Sequence, residues 1–457
     1  MITGETGIFN SLHSVPWEAR PLIEHALLRP SLPLHPSRGL IRDDGDDSSG
    51  PSWWEDLSQN MNKEWDVPTN RRSHDSTYFY TEIVDPNSSN SRVVREWMIV
   101  SGGFTDDDFC SFPVWALDLN QVRNLEDNRT LEGNSRKSPW IQLDQGIRNT
   151  GKNLSDPLLN NCGHPHTSDS TRSPERPPGR MGHLSGVGKD GTLFVLGGLR
   201  VHKDQFSFAD HGDKLTIWSA PILPALLGDE TSKLQWTRTS NYTTDNSPPI
   251  RSLMAGGVWR EENKIVFHGG VDMGSEVSVF NDIWAFSMND MTFQKLLEQS
   301  SSSVHRVMPS NRAAHKGAFA NNTFFIFGGM AISEAKDGAY LDQYHSSWST
   351  LSDIWEFHVG DGKWAQRKVT PQLSRAYHSL EVMQDGSLIS YGGNRRGQTI
   401  TGEAVAYVYG DLMILEQGSS RWMKITMPPN SESLSKGPQF RFDHTSIYDR
   451  LGNLFVW

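Results

Sequence analysis

Cysteine is almost missing from this chain. Only Cys110 and Cys162 occur in 457 residues, which excludes a disulfide framework and any zinc cluster built from cysteine thiolates alone. Long apolar runs are missing too, since no stretch reaches the roughly 18 residues that span a bilayer. There is no basic surplus. The formal net charge is −11, against the positive surface that nucleic acid or an anionic membrane requires. The opening MITGETGIFNSLHSVPWEAR lacks a basic stretch followed by an apolar one, so no secretory signal is expected. A cytoplasmic location is the default, or an extracellular one if Met1 is not the true start. No P-loop, HExxH or Ser-His-Asp signature is present, and no metal or other cofactor is expected.

Turn formers are abundant by contrast, with 40 glycines and 24 prolines, which favours many short strands over long helices. The 16 Trp, 20 Phe and 10 Tyr supply a core from few residues. Five N-x-S/T sequons, at Asn87, Asn128, Asn153, Asn241 and Asn321, are about what chance gives in a chain so rich in Asn, Ser and Thr.

The segment HKGAFANNTFFIFGGM, residues 315–330, holds a histidine, an alternating run, a tight turn and a Gly-Gly doublet after β-formers. A lone doublet of this kind suits a phosphate loop, but this one recurs. WMIVSGG ends at Gly103, LFVLGG at Gly198, KIVFHGG at Gly270, FFIFGG at Gly329 and LISYGG at Gly393. Upstream of them stand RRSH (71–74), RMGH (180–183), RSLM (251–254), RAAH (312–315) and RAYH (375–378). A sixth element, RFDH (441–444), leads only to LFVW, where the chain ends. Downstream come NDIWAF (281–286), SDIWEF (352–357), GDLMIL (410–415) and, more loosely, VWALDL (114–119). Trp140, Trp236, Trp364 and Trp422 close four of the units, and Phe293 stands in the third. The last four intervals between Arg-x-x-His elements run from 61 to 71 residues. A period of this size marks a repeat architecture.

Together these elements resemble the kelch repeat, over roughly residues 50–457. The units are longer than the usual ~50 residues, and the third has Met254 where the histidine belongs. The resemblance implies an all-β propeller with four antiparallel strands, a to d, in each blade. The glycines then close strand b, where backbone turns with positive φ and packs closely. Five units are complete. PSWWEDLSQNMNKEWDVP (51–68) reads as the second half of a unit and RFDHTSIYDRLGNLFVW (441–457) as a first half. Pairing residues 52–67 with 441–457 gives six blades and protects the sheet edges. Residues 1–50 are expected to be a disordered or loosely attached leader, and residues 51–457 the propeller. A longer protein cut at Trp457 is the alternative to closure.

In such a blade the a–b and c–d turns share one face, the b–c and d–a connections the other. The a–b turns are tight (GKDGT, REENK, ANNT, QDGS), whereas the b–c loops are long: about 199–213, 271–281, 330–352 and 394–409. Long loops on a rigid scaffold commonly carry binding. The candidates for partner contact are therefore Arg200, Asp272, Tyr340, Tyr344, His345, Trp348, Arg395 and Arg396, with aromatics and arginine as anchors. The expected role is a monomeric, non-enzymatic scaffold that binds another protein on this face, with neither nucleic acid nor membrane insertion. The alternative is a carbohydrate-binding or carbohydrate-acting propeller. Some kelch propellers are copper oxidases resembling galactose oxidase, but the Tyr/His/Cys constellation they need is not seen here. The Arg-x-x-His histidines come one per blade and are expected to be satisfied structural residues. Cys110 and Cys162 both fall in connections on the long-loop face, where a bridge is an alternative to two free thiols.

Overall fold

Thr323–Phe327 (TFFIF) is buried at every position, as are Ile283–Ser287 and Val114–Asp118. A strand with no solvated face must be covered on both sides, and stacked sheets provide that cover. In the computed structural model, residues 28–29, 55–56, 68, 71–84, 91–104, 111–127, 138–144, 176–202, 205–208, 214–229, 233–239, 247–273, 277–297, 307–332, 348–398, 404–425 and 440–457 are described.

Five four-stranded antiparallel sheets form the blades. Blade 1 holds Asp75–Val84, Arg92–Ser101, Val114–Asp118 and Trp140–Asp144. Blade 2 holds Leu184–Val187, Thr192–Leu196, Ile217–Pro221 and Thr237–Thr239. Blade 3 holds Ala255–Trp259, Lys264–His268, Ile283–Ser287 and Thr292–Lys295. Blade 4 holds Lys316–Ala320, Thr323–Phe327, Ile354–His358 and Lys363–Arg367. Blade 5 holds Ser379–Val382, Leu388–Tyr391, Leu412–Leu415 and Met423–Lys424. Each strand a lies innermost, beside the strand a of the next blade. The outermost Lys363–Arg367 is largely exposed, and Trp364 is its one buried residue. The a–b turn of blade 4 is a two-residue hairpin in which Asn321 and Asn322 have φ of 49° and 58°, the pattern that matches strand twist.

Six four-stranded blades were expected, and five are present among the described residues. Ser446–Tyr448 and Leu454–Val456 make a two-stranded sheet whose inner strand lies between those of blades 5 and 1. Glu55–Asp56 does not pair with these C-terminal strands. It pairs with Leu28–Arg29, and Leu28–Arg29 lies beside Leu454–Val456. The expected leader thus contributes a strand. Two residues set among prolines in LLRPSLP carry no alternation from which a strand can be read.

The core is a series of layers between neighbouring sheets. Ala255, Val266, Ile283 and Ala285 of blade 3 meet Phe324, Ile326, Trp355, Phe357 and Trp364 of blade 4. Each large buried side chain contributes about 1.5–3 kcal/mol. At the seam between the chain's ends, Ile447 and Phe455 pack on blade 1, and Trp140 lies 4.9 Å from Trp457. A polar clasp reinforces the seam. Glu96, 1% exposed, accepts from Tyr78 Oη (2.6 Å), Arg450 Nε (2.7 Å) and Arg123 Nη1. Arg123 also reaches Asp449 at 2.6 Å, from the helix Leu119–Asp127. Asp118 caps that helix by accepting the N–H groups of Asn120 and Gln121. Among the described residues, no helix is long and apolar enough to cross a membrane.

Candidate functional site

One joint, repeated, fastens each repeat to the next. In blade 4, Arg312 is fully buried and uses all five of its N–H groups. Nε donates to the Ser310 carbonyl, Nη1 to the Gly328 carbonyl and to Asp353 Oδ1 (2.8 Å), and Nη2 to Asp353 Oδ2 (2.8 Å) and Ser310 Oγ. Arg251 with Asp282 and Arg375 with Asp411 repeat the pair. The N–H of Gly329 then donates to the Arg375 carbonyl of the next blade at 2.9 Å, and Gly103, Gly198, Gly270 and Gly393 do the same to Arg180, Arg251, Arg312 and Arg441. The doublets are joints rather than phosphate loops.

The histidine of each joint packs against the residue that precedes the previous Gly-Gly. His378 meets Phe327 edge-on at 4.8 Å, and His444 meets Tyr391 at 5.3 Å. His315 Nε2 lies 2.9 Å from His268 Nδ1 and His183 Nε2 lies 3.1 Å from Ser101 Oγ. Full hydrogen-bond satisfaction was expected, yet neither ring nitrogen of His378 has a partner among the described residues. These rings are wedges as much as hydrogen-bonding groups. Where Met254 replaces the histidine it joins an apolar cluster with Leu196, so an imidazole there has little to bond. Burial holds His74 and His268 down to about 3, with neighbouring guanidiniums of Arg71 and Arg312 adding to the effect. The joint histidines are therefore neutral at physiological pH.

The third residue of every Arg-x-x-His element turns into the axis with positive φ: Ser73, Gly182, Leu253, Ala314, Tyr377 and Asp443, all between 53° and 61°. Their backbones form a closed circle of hydrogen bonds. Ser73 N–H donates to Asp443, Asp443 to Tyr377, Tyr377 to Ala314, Ala314 to Leu253, Leu253 to Gly182 and Gly182 to Ser73, at 2.7–3.3 Å.

The b–c connections, read as loops, are paired hairpins. They are Leu199–His202 with Gln205–Phe208, Val271–Met273 with Val277–Val279, Met330–Ile332 with Trp348–Thr350, and Asn394–Gln398 with Ala404–Val408. The first and second are adjacent, as are the third and fourth. The structure places Arg200, Asp272, Arg395 and Arg396 in these hairpin strands. Arg395 is exposed and its guanidinium lies 5.2 Å from the ring of Tyr407, itself 46% exposed. Trp348 was expected as an exposed anchor and is instead 6% exposed, packed with Met330, Ala313 and Tyr377. It roots the hairpin because its strand pairs Trp348 with Ile332 above that cluster. Tyr340, Tyr344 and His345 lie outside the described residues, as do Cys110 and Cys162.

Inside the ring lies a shaft of about 290 Å³, lined by the innermost strands and ending towards Tyr80, Arg260 and Tyr448. Three carboxyls line it. Asp75 accepts from the N–H (2.6 Å) and Oγ (2.7 Å) of Ser185, Glu381 from Ser446 Oγ (2.8 Å), and Asp443 from Ser73 Oγ. Each faces the shaft on one side and is walled by protein on the others. Burial pushes Asp75 and Asp443 up, and pushes Glu381 up to about 8.

A family model described as the KLHDC2/KLHL20/DRC7 Kelch-repeats domain matches residues 223–455, just over half of the chain. The chain belongs to the kelch-repeat family. Kelch propeller domains commonly serve as protein-interaction scaffolds. The match begins within blade 2, but the same Gly-to-Arg joint fastens blade 1 to blade 2. Among solved structures, one titled "Structure of YjhT" aligns at 11% identity over 85% of this chain and 91% of that chain, with a TM-score of 0.47. No curated protein matches in sequence.

The shaft of this kelch ring was not found by reading the sequence. Asp75 and Lys316 directly follow a joint histidine, and a charge at the first position of an innermost strand was the available signal. The carboxyls also make stability depend on pH. Glu381 carries a raised folded value, so no penalty exists below its unfolded value of 4.5, and one accumulates as pH rises towards about 8. Glu381→Gln is expected to match the wild type near pH 4.5 and to exceed its stability at pH 9 by about 1–3 kcal/mol, discounted for access to the shaft. Denaturant unfolding at both pH values checks this, and an equal gap at both would contradict it.

Proposed function

We propose that the chain is a non-enzymatic, monomeric kelch scaffold that binds another protein on its hairpin face. The observation that carries this reading is the asymmetry of the faces. Four b–c connections are ordered as hairpins on one face, whereas the blade 4 turn on the other is only two residues. Paired strands hold contact residues rigidly and so reduce the entropy lost on binding. Arg200, Asp272, Arg395 and Arg396 are the proposed contacts, with Tyr340, Tyr344 and His345 proposed from the sequence. Trp348 supports them from beneath.

Arg395→Glu with Arg396→Glu is expected to weaken partner capture at least about tenfold, as for the loss of one or two interface anchors, with an unchanged melting temperature. Affinity purification with mass spectrometry, alongside a Lys189→Glu control on the opposite face, reads this out. Equal loss in both variants, or binding to a glycan array in place of protein, would sink the proposal.

We infer also that the ring carries six blades, the last assembled from both ends of the chain. Support comes from the six-membered hydrogen-bond circle and from Leu28–Arg29 lying beside Leu454–Val456. Slow amide exchange at Ser73 and Asp443, the seam members of the circle, is the expected signature. Fast exchange there alone would count against it.

A further inference from the structure

The joints around the amide circle do not all carry the same groups. Blades 2 and 3 meet at Met254, and the other joints at a histidine. Three of the histidine joints are also spanned by a buried carboxyl. Asp75 of blade 1 accepts from Ser185 of blade 2, and Glu381 of blade 5 from Ser446 of the C-terminal sheet. Asp443, beside that sheet, accepts from Ser73 at the start of blade 1. Among the described residues, no carboxyl–serine bond of this kind spans either joint of blade 4. Those two joints rest on His315, 1% exposed, and His378, fully buried.

Both rings are wedged without room to turn. A Cβ on Gly269 would lie 2.9 Å from His315 Cε1, and one on Gly328 would lie 3.1 Å from His378 Cε1. His315 Nδ1 and both ring nitrogens of His378 have no hydrogen-bond partner among the described residues. His315 is faced by His268, Arg312, His378 and Lys316, and His378 by Arg375, Lys316 and His444. Each of these groups is a cation or becomes one in acid. Asp282 faces His268 instead, and Asp353 and Asp411 are held by Arg312 and Arg375. Lys316, at the start of blade 4, is balanced across the shaft by Asp75, Glu381 and Asp443. Burial raises all three carboxyls, so acid removes that balance as well.

Acid therefore acts on the joints in opposite directions. A histidine held neutral in a closed joint takes up its proton only on opening, so closure weakens as pH falls below the ordinary value of 6.5. A carboxyl raised by burial binds its proton more readily in the closed joint. Closure there strengthens as pH falls towards the ordinary value of 3.8 or 4.5. The carboxyl-spanned joints carry both effects, and the Met254 joint carries neither. Among the described joints, those of blade 4 alone carry the histidine effect with no carboxyl across them.

We propose that blade 4 is an acid-released segment of the ring, parted from blades 3 and 5 by protonation of His315 and His378 while the other joints hold. Once charged, the two rings face Arg312, Arg375 and Lys316, and repulsion favours the parted state. Release also wets the shaft, and the opposing effect of Glu381 is fully developed at its ordinary value of 4.5. Both joints lie between complete blades, so the outcome depends neither on closure of the ring nor on the protein-binding reading.

The test is amide hydrogen exchange of the full chain at pH 7 and pH 4.5, read as protection factors. The N–H groups of Gly270 and Ala314 report the joint between blades 3 and 4, and those of Gly329 and Tyr377 the joint between blades 4 and 5. Leu253, beside Met254, is the internal reference. Relative to Leu253, all four are expected to lose protection about tenfold or more between the two pH values, since one freed histidine contributes about tenfold per pH unit below its ordinary value. His378→Met, which copies the residue at 254, should restore Gly329 and Tyr377 at pH 4.5 and leave Gly270 and Ala314 unprotected. Should that variant fail to fold, His315→Met read at Gly270 and Ala314 replaces it, and the wild-type pattern needs no variant. Loss at Leu253 in step with Tyr377, no loss at either, or a loss that His378→Met leaves unaltered overturns the proposal.

Discussion

Gly328→Val is expected to leave the chain unable to reach its folded state. Gly328 has φ +63°, and a Cβ there would sit 2.3 Å from the Arg375 carbonyl oxygen of the next blade. That atom is backbone and belongs to the joint, since it accepts the Gly329 N–H, so it cannot move aside without breaking the fastening. A β-branched residue at positive φ adds its own strain. Together these exceed about 4 kcal/mol, a large share of the roughly 5–15 kcal/mol that keeps a domain folded. Gly418 isolates the conformational part, because it has φ +75° and nothing within 4 Å of an added Cβ. Gly418→Ala should cost only about 1 kcal/mol. Soluble yield and circular dichroism of the two variants make the comparison, and a Gly328→Val protein that melts like Gly418→Ala would refute the joint.

Arg312→Met is expected to destabilise the chain by about 3–5 kcal/mol, the usual cost of removing one partner from a buried ion pair. Asp353 would keep Trp355 Nε1 as a donor at 2.6 Å but would lose both guanidinium bonds. The Gly328 carbonyl would lose its side-chain donor at the same time. Arg312→Lys should rescue little, because an ammonium cannot reproduce the planar fork. Chemical denaturation of both variants against the wild type measures this, and a loss under about 1 kcal/mol for Arg312→Met would mean the pair is dispensable.

Much of this was legible in the sequence for a definite reason. Gly328 and Gly329 recur because each must adopt positive φ beside a neighbouring backbone, and a repeated steric demand leaves a repeated residue. The blade strands were legible because burial on both faces forces runs such as TFFIF. The Arg–Asp pair was present as two separate signals, RAAH and SDIW, but contact between them follows only from the sheet order. The hairpins were missed because their strands are only three to five residues long, too short for alternation to show in turn-rich sequence. Trp348 was misjudged for the same reason: an aromatic in a polar stretch looks exposed until the strand pairing turns it onto Met330. The sixth unit was read as two joined halves, yet Glu55–Asp56 found its partner in Leu28–Arg29. The shaft escaped notice because its charges come from separate repeats, and only closure of the ring brings Asp75, Lys316 and Glu381 together.

That closure is the centre of the account, and hydrogen exchange at the amide circle tests it most directly. If the repeats form one cooperative ring, the N–H groups of Ser73, Gly182, Leu253, Ala314, Tyr377 and Asp443 should exchange together, through global unfolding, at the slowest rate in the chain. Seam residues Ser73 and Asp443 exchanging orders of magnitude faster than Leu253 and Ala314 would show instead an open arc whose ends meet only transiently.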